Sequence, residues 1–538
     1  MKYIIVTGGV LSGLGKGITG SSIGRLLISR GYSVTAIKID PYLNVDAGTM
    51  NPYEHGEVYV LNDGGEVDLD LGNYERFMDI NMSRENNITT GKVYFNVIQH
   101  ERHGDYLGST VQIIPHITDE IKRQIRAVTG TSKADMCLIE LGGTVGDIES
   151  APFLEAIRQL MVEVGKENAV VVHTTLVPIM SVVGEQKTKP TQHSVKELRA
   201  IGIIPDFIVG RGSEYLTDKS KKKIALFCNV PAENVLSAPN VRTIYEVPLV
   251  LEEQHAADSI LKKFNLPDKK PNLTKWISMV DRIVNPKNTT NITFVGKYVN
   301  LKDSYMSHIE AFHHAGAMCG TKININWVES EDLENPKEDP KKGLALLKGT
   351  QGVLVPGGFG ARGSEGKIIA ATYAMEKKIP YLGVCFGFQL AVIAFCRKVL
   401  KFEDANSSEL NPKTPYPVID LLPEQGAVVD MGGTMRLGSN EIDVEKDSIP
   451  YKLYKKVVIA ERHRHRYEVN PKYIDEIEKA GLKFVGRSKD RTRMEMFELK
   501  GHPFFIGCQF HPEFKSRPGK PSALHYGLLK AALKNVCK

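Results

Sequence analysis

The chain has 538 residues, too many for one hydrophobic core, so two to four domains are expected. Its 69 Lys and Arg against 63 Asp and Glu leave a formal net charge of +6, and no basic run is interleaved with aromatics. That argues against a nucleic-acid face and makes small anions the expected ligands of any basic patch. The seven cysteines are scattered, odd in number and without C-x-x-C spacing, the pattern of reduced thiols in a cytoplasmic protein. Neither a leader segment nor an apolar run of membrane-spanning length is expected.

From the N-terminus, the apolar strand Tyr3-Ile4-Ile5-Val6 enters Thr7-Gly8-Gly9-Val10-Leu11-Ser12-Gly13-Leu14-Gly15-Lys16-Gly17-Ile18-Thr19. Strand, glycine loop, lysine and helix form the layout of a phosphate cradle, in which backbone N–H groups, a point charge and a helix N-terminus converge on anionic oxygens. The spacing departs from G-x-x-x-x-G-K-[ST]: Val10 stands at the first glycine position and Gly17 at the hydroxyl position. A helix is expected over 18–30, ending at Gly31, and then a buried strand over 33–40 with Lys38 and Asp40 at its C-terminal end, where open α/β sheets bind ligands.

Residues 41–72 are polar and irregular, and their length marks them as functional. Near their end Asp68 and Asp70 share one side if the run is extended, where a carboxylate would hold Mg²⁺ beside phosphates; the alternative is acidic loop residues in water. A buried strand over 134–141 carries Glu140 and is followed by a glycine turn with Asp147, Ile148 and Glu149, the second half of such a site. The 152–166 helix shows a core stripe of Phe153, Ile157, Leu160, Met161 and Val164. After a strand over 169–177 come Lys187, Thr188, Lys189, Pro190, Thr191 and Gln192, many donors for an anion and a pyrimidine edge. The α/β rhythm stops near Phe264, and Pro267, Pro271 and Pro286 mark a linker that holds a helix over 276–284.

A second domain opens with a strand over 292–296. The strand 352–355 ends at Pro356-Gly357-Gly358-Phe359-Gly360, another loop of backbone donors. A strand then turns sharply at Cys385, with Gly383 and Gly387 two residues to either side, and an apolar helix is expected over 390–398: a nucleophile elbow with sulfur in place of oxygen. The strand 504–510 ends in His511-Pro512-Glu513, so His511 would take the thiol proton and Glu513 would orient it. Cys508 reads as a buried thiol. The run 461–468 has histidines two apart, but interleaved arginines would repel a metal, and an arginine there better suits a substrate carboxylate.

On stretches 8–17, 38–51, 68–77, 140–150, 187–198, 223–230, 357–360, 385–389, 432–438, 462–469 and 511–514, the chain resembles the CTP synthase family from end to end. The resemblance implies an α/β protein of two domains. Residues 1–265 would be an amidoligase with a P-loop-like, dethiobiotin-synthetase-like parallel sheet, 266–290 a linker, and 291–538 a class I glutamine amidotransferase. It implies ATP-dependent phosphorylation of the UTP 4-oxygen and displacement of that phosphate by ammonia from glutamine. Ser12, Gly13, Leu14, Gly15, Lys16, Gly17, Ile18, Lys38 and Val241 would bind ATP, and Asp70 and Glu140 would bind Mg²⁺. Ser12, the turn Asp147-Ile148-Glu149, Lys187, Thr188, Lys189, Pro190, Thr191, Gln192 and Lys223 would bind UTP or the inhibitor CTP.

In the second domain Cys385, His511 and Glu513 would be the triad, Gly358 and Phe386 the oxyanion donors, and Gly387, Phe388, Gln389, Glu409 and Arg466 further glutamine contacts. His55 and Val58 are expected on the ammonia path and 432–438 in a GTP-responsive lid. A homotetramer, with filaments as a further possibility, is implied. Phe386 departs from the leucine of many relatives, and the segment 423–433 is short. Two alternatives stand beside this reading. One is another glutamine-dependent P-loop amidoligase, disfavoured by 187–192. The other is a ParA-like partition switch, disfavoured by Leu11 at the signature lysine position and by the attached thiol triad.

Overall fold

A computed structural model describes residues 1–180, 184–334, 340–421 and 433–535. Cys537, Gly432 and the segment 423–433, apart from its last residue, lie outside the described residues. The chain divides into two compact units, Met1–Ala47 with Asp70–Val280, and Gly48–Leu69 with Asp281–Lys538. Residues 48–69 therefore fold with the second unit although the first flanks them in sequence, and residues 266–280 fold with the first.

The first unit is built on a seven-stranded sheet whose strands, in spatial order, are Val235–Ala238, Phe207–Arg211, Ala169–Leu176, Lys2–Gly8, Met136–Leu141, Val34–Asp40 and Asn87–Thr89. All neighbours are parallel. Strands such as Met136–Leu141 are buried at every position, as expected when helices cover both faces. The register puts Val6 opposite Glu140 and Glu140 opposite Lys38, so one row of the sheet carries the carboxylate and the lysine side by side.

Most expected elements of this unit appear within a residue or two: the helices Lys16–Ser29 and Ala151–Val164 and the strand Ala169–Leu176. The extended run expected around Asp68 and Asp70 does not. Only Glu66–Val67 is strand, and Asp70 lies in the first turn of the helix Leu69–Met78, so the two aspartates do not share a strand face. Within the expected linker the helix Thr274–Val284 buries Trp276, which donates to the Tyr245 carbonyl at 2.8 Å and packs on Phe77, and this fastens residues 274–280 to the first core.

The second unit holds a nine-stranded sheet in the order Thr321–Glu329, Asn288–Gly296, Gly352–Val355, Tyr381–Val384, Phe505–Cys508, Met494–Leu499, Leu482–Ser488, Arg436–Val444 and Val458–His465. The first five strands are parallel and the rest antiparallel. The apolar helix starts at Phe386, immediately after the cysteine and four residues earlier than its composition suggested. The hairpin Tyr59–Val60 and Glu66–Val67 belongs to this unit, because Arg462 donates to Asn62 and to the Val60 carbonyl and Arg464 to Glu66.

Candidate active site

In the first unit the glycine loop turns through left-handed backbone at Gly13 and Gly15, with φ of 75° and 81°, before Lys16 opens the helix. Gly8 leaves room for the lysine, since a Cβ on it would lie 2.5 Å from the Lys16 side chain, which would have to move. Lys16 Nζ donates to the Gly143 carbonyl at 2.7 Å, which joins the two glycine turns. Ser12 and Gly13 stand exposed at the loop tip, and Gly17 is buried beside the acids. A Cβ on Gly17 would lie 3.1 Å from Asp70 Oδ1 and 3.4 Å from Glu140 Oε2, so both carboxylates converge on the helix N-terminus.

Lys38 is buried among three acids: it is bonded to Asp70, 3.3 Å from Asp40 and 3.8 Å from Glu140. Burial alone would raise Asp70, but the charge of Lys38 and its hydrogen bond outweigh it and hold that carboxyl below its ordinary value. Glu140, to which Tyr74 donates at 2.6 Å, is pushed up to about 7 by burial. Burial also lowers Lys16. Two carboxylates side by side at a phosphate cradle suit a small oxygen-seeking cation, which completes its shell with phosphate oxygens and water. Among the described residues no group of three or more His, Cys, Asp or Glu could hold a metal by itself.

The residues expected to hold the pyrimidine nucleotide fall on three segments. Asp147, Ile148 and Glu149 are exposed at the turn after Met136–Leu141. Lys187 and Thr188 precede the helix Lys189–Ala200, where Pro190 occupies the first turn, Thr191 bonds the Leu176 carbonyl at 3.2 Å, and Gln192 donates to Thr188 at 3.0 Å. Gln186 ties this segment to the turn before the Lys223 helix through the Tyr215 carbonyl and the Thr217 N–H. Val241 lines a separate open cleft of about 480 Å³ with Asn240, Arg242 and Glu246.

In the second unit the C-terminal ends of three parallel strands carry the chemistry. Cys385 has φ 51° and ψ −104°, a backbone conformation costly for any residue but glycine, and caps the helix Phe386–Phe395. Close packing enforces it: a Cβ on Gly383 would lie 2.6 Å from the Gly387 carbonyl. His511 and Cys385 flank Gly357, where a Cβ would stand 3.0 Å from His511 Cε1 and 3.6 Å from Cys385 Cβ. His511 Nδ1 lies 2.7 Å from Glu513 Oε1. Burial would lower His511, but the charges of Glu513 and Cys385 raise it to about 10, while Glu513 is brought down to about 2 against its burial by His308 and His511.

Other glutamine-site expectations are placed as follows. Gln389 donates to the Tyr467 carbonyl at 2.7 Å, Glu409 accepts from Gly360 N–H at 2.8 Å, and Arg466 donates to Thr434 at 2.8 Å. Phe386, Gly387 and Phe388 are buried, and Gly358 lies in the 356–360 loop. Val58 lines a cavity of about 210 Å³ with Cys385, His511 and Gly358, whereas His55 is exposed. Cys508 is fully buried, and its thiol is pushed well above its ordinary value. The 461–468 histidines are structural: His463 and His465 are buried 3.2 Å apart and held neutral by burial.

Sequence reading missed two buried lysines beneath the 356–360 loop. Lys367 donates to the Pro356 and Gly357 carbonyls at 3.1 and 3.2 Å, and Lys297 to the Phe359 and Gly360 carbonyls at 2.7 and 2.9 Å. Both engage carbonyls of the loop and so hold it from one side. Burial brings them down to about 7 and about 8. Their signal in the sequence was slight: each is a lone lysine near glycine, Gly366-Lys367 and Gly296-Lys297.

This geometry belongs to a thiol-dependent glutamine amidotransferase, and the first unit adds the parallel sheet and phosphate cradle of a nucleotide-using synthetase. Residues 2–266 match the family model for the CTP synthase N-terminus, and residues 300–531 the model for class I glutamine amidotransferase. The chain is similar to the CTP synthase of Pyrococcus abyssi, 57% identical over 532 residues that cover 99% of this chain and 98% of the relative. It is also similar to that of Archaeoglobus fulgidus, 57% identical over 534 residues covering 99% of each. Among solved structures it resembles the glutaminase domain of a Trypanosoma brucei CTPS with bound acivicin, at 38% identity over 46% of this chain and 94% of that one, TM-score 0.43. The chain belongs to the CTP synthase family and is a ligase with a glutamine amidotransferase domain. Among the described residues no helix is long and apolar enough to cross a membrane.

Proposed function

We propose that the chain makes CTP from UTP, ATP and glutamine, with ammonia produced at Cys385 and consumed at the nucleotide held over the glycine loop. The observation that carries this reading is the pairing, in one chain, of a thiol elbow flanked by His511 with a phosphate cradle whose Lys16, Lys38, Asp70 and Glu140 converge.

In glutamine hydrolysis His511 takes the Cys385 proton and the thiolate adds to the carboxamide carbon. The oxyanion is met by the N–H groups of Gly358, in the loop braced by Lys297 and Lys367, and of Phe386, at the start of the helix that Cys385 caps. The raised basicity of His511 keeps the proton on the ring until it passes to the departing amine, and water then cleaves the thioester. Gln389, Glu409 and Arg466 would bind the amino-acid end of glutamine, a carboxylate and an ammonium that suit Arg466 and Glu409 in turn.

In the synthetase unit Lys16 and Lys38 offset charge on the phosphoryl group as it moves from ATP to the UTP 4-oxygen; ammonia then adds at that carbon and phosphate leaves. Asp70 and Glu140 would hold Mg²⁺, which when bound neutralises phosphate charge. Asp147, Glu149, Lys187, Gln192 and Lys223 would engage the pyrimidine nucleotide, and CTP would inhibit by competing there. GTP activation through 432–438, a homotetrameric assembly and a cytoplasmic setting belong to the same reading. Incubating the purified chain with UTP, ATP, Mg²⁺ and glutamine tests it: CTP, ADP, phosphate and glutamate are expected, and turnover that does not require UTP would exclude it.

A further inference from the structure

Glu513 is shared between two histidines. Its Oε1 lies 2.7 Å from His511 Nδ1 and 3.4 Å from Nε2 of His308, a residue of the helix Met306–Cys319. Beyond His308 the contacts run on, away from the thiol: His308 Nδ1 is 3.0 Å from His525 Nε2, and His525 Nδ1 is 2.8 Å from Ser522 Oγ. Every member is buried, with relative exposures of 2% for His308, 0% for His525 and 6% for Ser522.

The direction of the chain follows from its end. An ionised carboxylate only accepts, so at 3.4 Å, a charge–dipole contact and not a closed hydrogen bond, it favours the His308 tautomer with Nε2–H toward Glu513; a neutral imidazole has one N–H, so its Nδ1 accepts from His525 Nε2–H, whose Nδ1 in turn accepts the Ser522 hydroxyl proton. Burial keeps both rings neutral, at about 4 for His308 and about 3 for His525. Glu513 Oε2 has no hydrogen-bond partner among the described residues, so the carboxylate is anchored through Oε1 alone. Glutamine hydrolysis as derived above uses neither His308 nor His525, although leaving buried polar groups unsatisfied is costly, about 1–3 kcal/mol each.

We propose that His308 is a positioning residue for glutamine hydrolysis: it holds Oε1 of Glu513 in line with His511, and His525 and Ser522 fix it in the tautomer that can do so. The inference rests on the glutaminase reading of this site. A carboxylate that drifts would let the His511 ring rotate away from Cys385, which lowers kcat; His308 also lines the cavity beside Cys385, but it is not among the residues proposed to grip the amino-acid end of glutamine, so KM is expected to hold.

Side chains of matched shape test this. In His308→Gln an amide N–H reaches the position of Nε2, whereas in His308→Asn the amide reaches only that of Nδ1 and cannot donate to Glu513. With the full chain, His308→Asn is expected to lower kcat for glutamine hydrolysis on the order of 10- to 100-fold with KM unchanged. His308→Gln should restore most of the rate, and ammonia-dependent CTP formation should be normal in both. Wild-type kcat in His308→Asn, equal losses in the two variants, or a loss carried by KM would overturn the proposal. If His308→Asn also loses ammonia-dependent synthesis, Ser522→Ala decides, because it removes the last donor and, besides that, only a long 3.5 Å contact with the His525 backbone N–H: a lowered kcat supports the chain and an unchanged kcat overturns it. A wild-type chain that hydrolyses no glutamine would overturn the underlying reading, and this inference with it.

Discussion

A methyl group on Gly387 would lie 2.0 Å from the Val355 carbonyl oxygen, so the first turn of the Cys385 helix is pressed against the strand that leads into the 356–360 loop. The thiol and the loop proposed to supply backbone donors for its oxyanion thereby meet at one contact. Gly387→Ala must separate them, and glutamine hydrolysis should fall on the order of 100-fold through misplacement alone. A loss of about 1–3 kcal/mol in stability is expected as well, from overpacking in a core without room to give. Glutaminase assays and thermal unfolding of the same preparation check both effects; wild-type rates would show that the elbow tolerates movement.

The His511–Glu513 pair sets a pH dependence whose sign is fixed. His511 is raised to about 10, so its imidazolium persists below that value and is lost as pH rises through it. Glu513→Gln removes the partner charge, lowers the folded-state value of His511 and deprotonates the ring at lower pH. The basic limb of kcat/KM for glutamine should therefore move toward acid, and the rate at its optimum should fall by about 10²-fold or more. A pH profile of the variant with an unmoved basic limb would contradict the pairing.

The strand ends proposed to carry the chemistry were legible in the sequence because apolar runs end there in residues that have no place in a core, Lys38, Glu140 and His511, while Cys385 was marked by the glycines two residues to either side. Periodicity could not show that Asp70 opens a helix, since Leu69 and Leu71 alternate with aspartates as a strand would. Nor could it show that residues 48–69 fold with a unit that begins at residue 281, because the ion pair of Arg464 with Glu66 spans nearly four hundred positions. Lys297, Lys367 and His308 escaped for a related reason. They act on backbone carbonyls or on another side chain, and only packing brings them there.

Lys16 fills the space beside Gly8 and reaches the Gly143 carbonyl, and in the proposed reading it serves the phosphate cradle. Lys16→Ala should lower CTP formation from UTP and free ammonia by about 10²- to 10³-fold, the scale of losing one preorganised charge at a transferring phosphoryl group. Alkylation of Cys385 by an electrophilic glutamine analogue should proceed at the wild-type rate. A thiol that no longer reacts would mean that the lysine acts on the second unit too.

The most direct measurement compares nitrogen sources in Cys385→Ala. With UTP, ATP and Mg²⁺, the variant should form no CTP from glutamine and should form it at the wild-type rate from ammonium chloride. CTP made from glutamine without the thiol, or failure with both nitrogen sources in a folded protein, would contradict the division of labour between Cys385 and the nucleotide site.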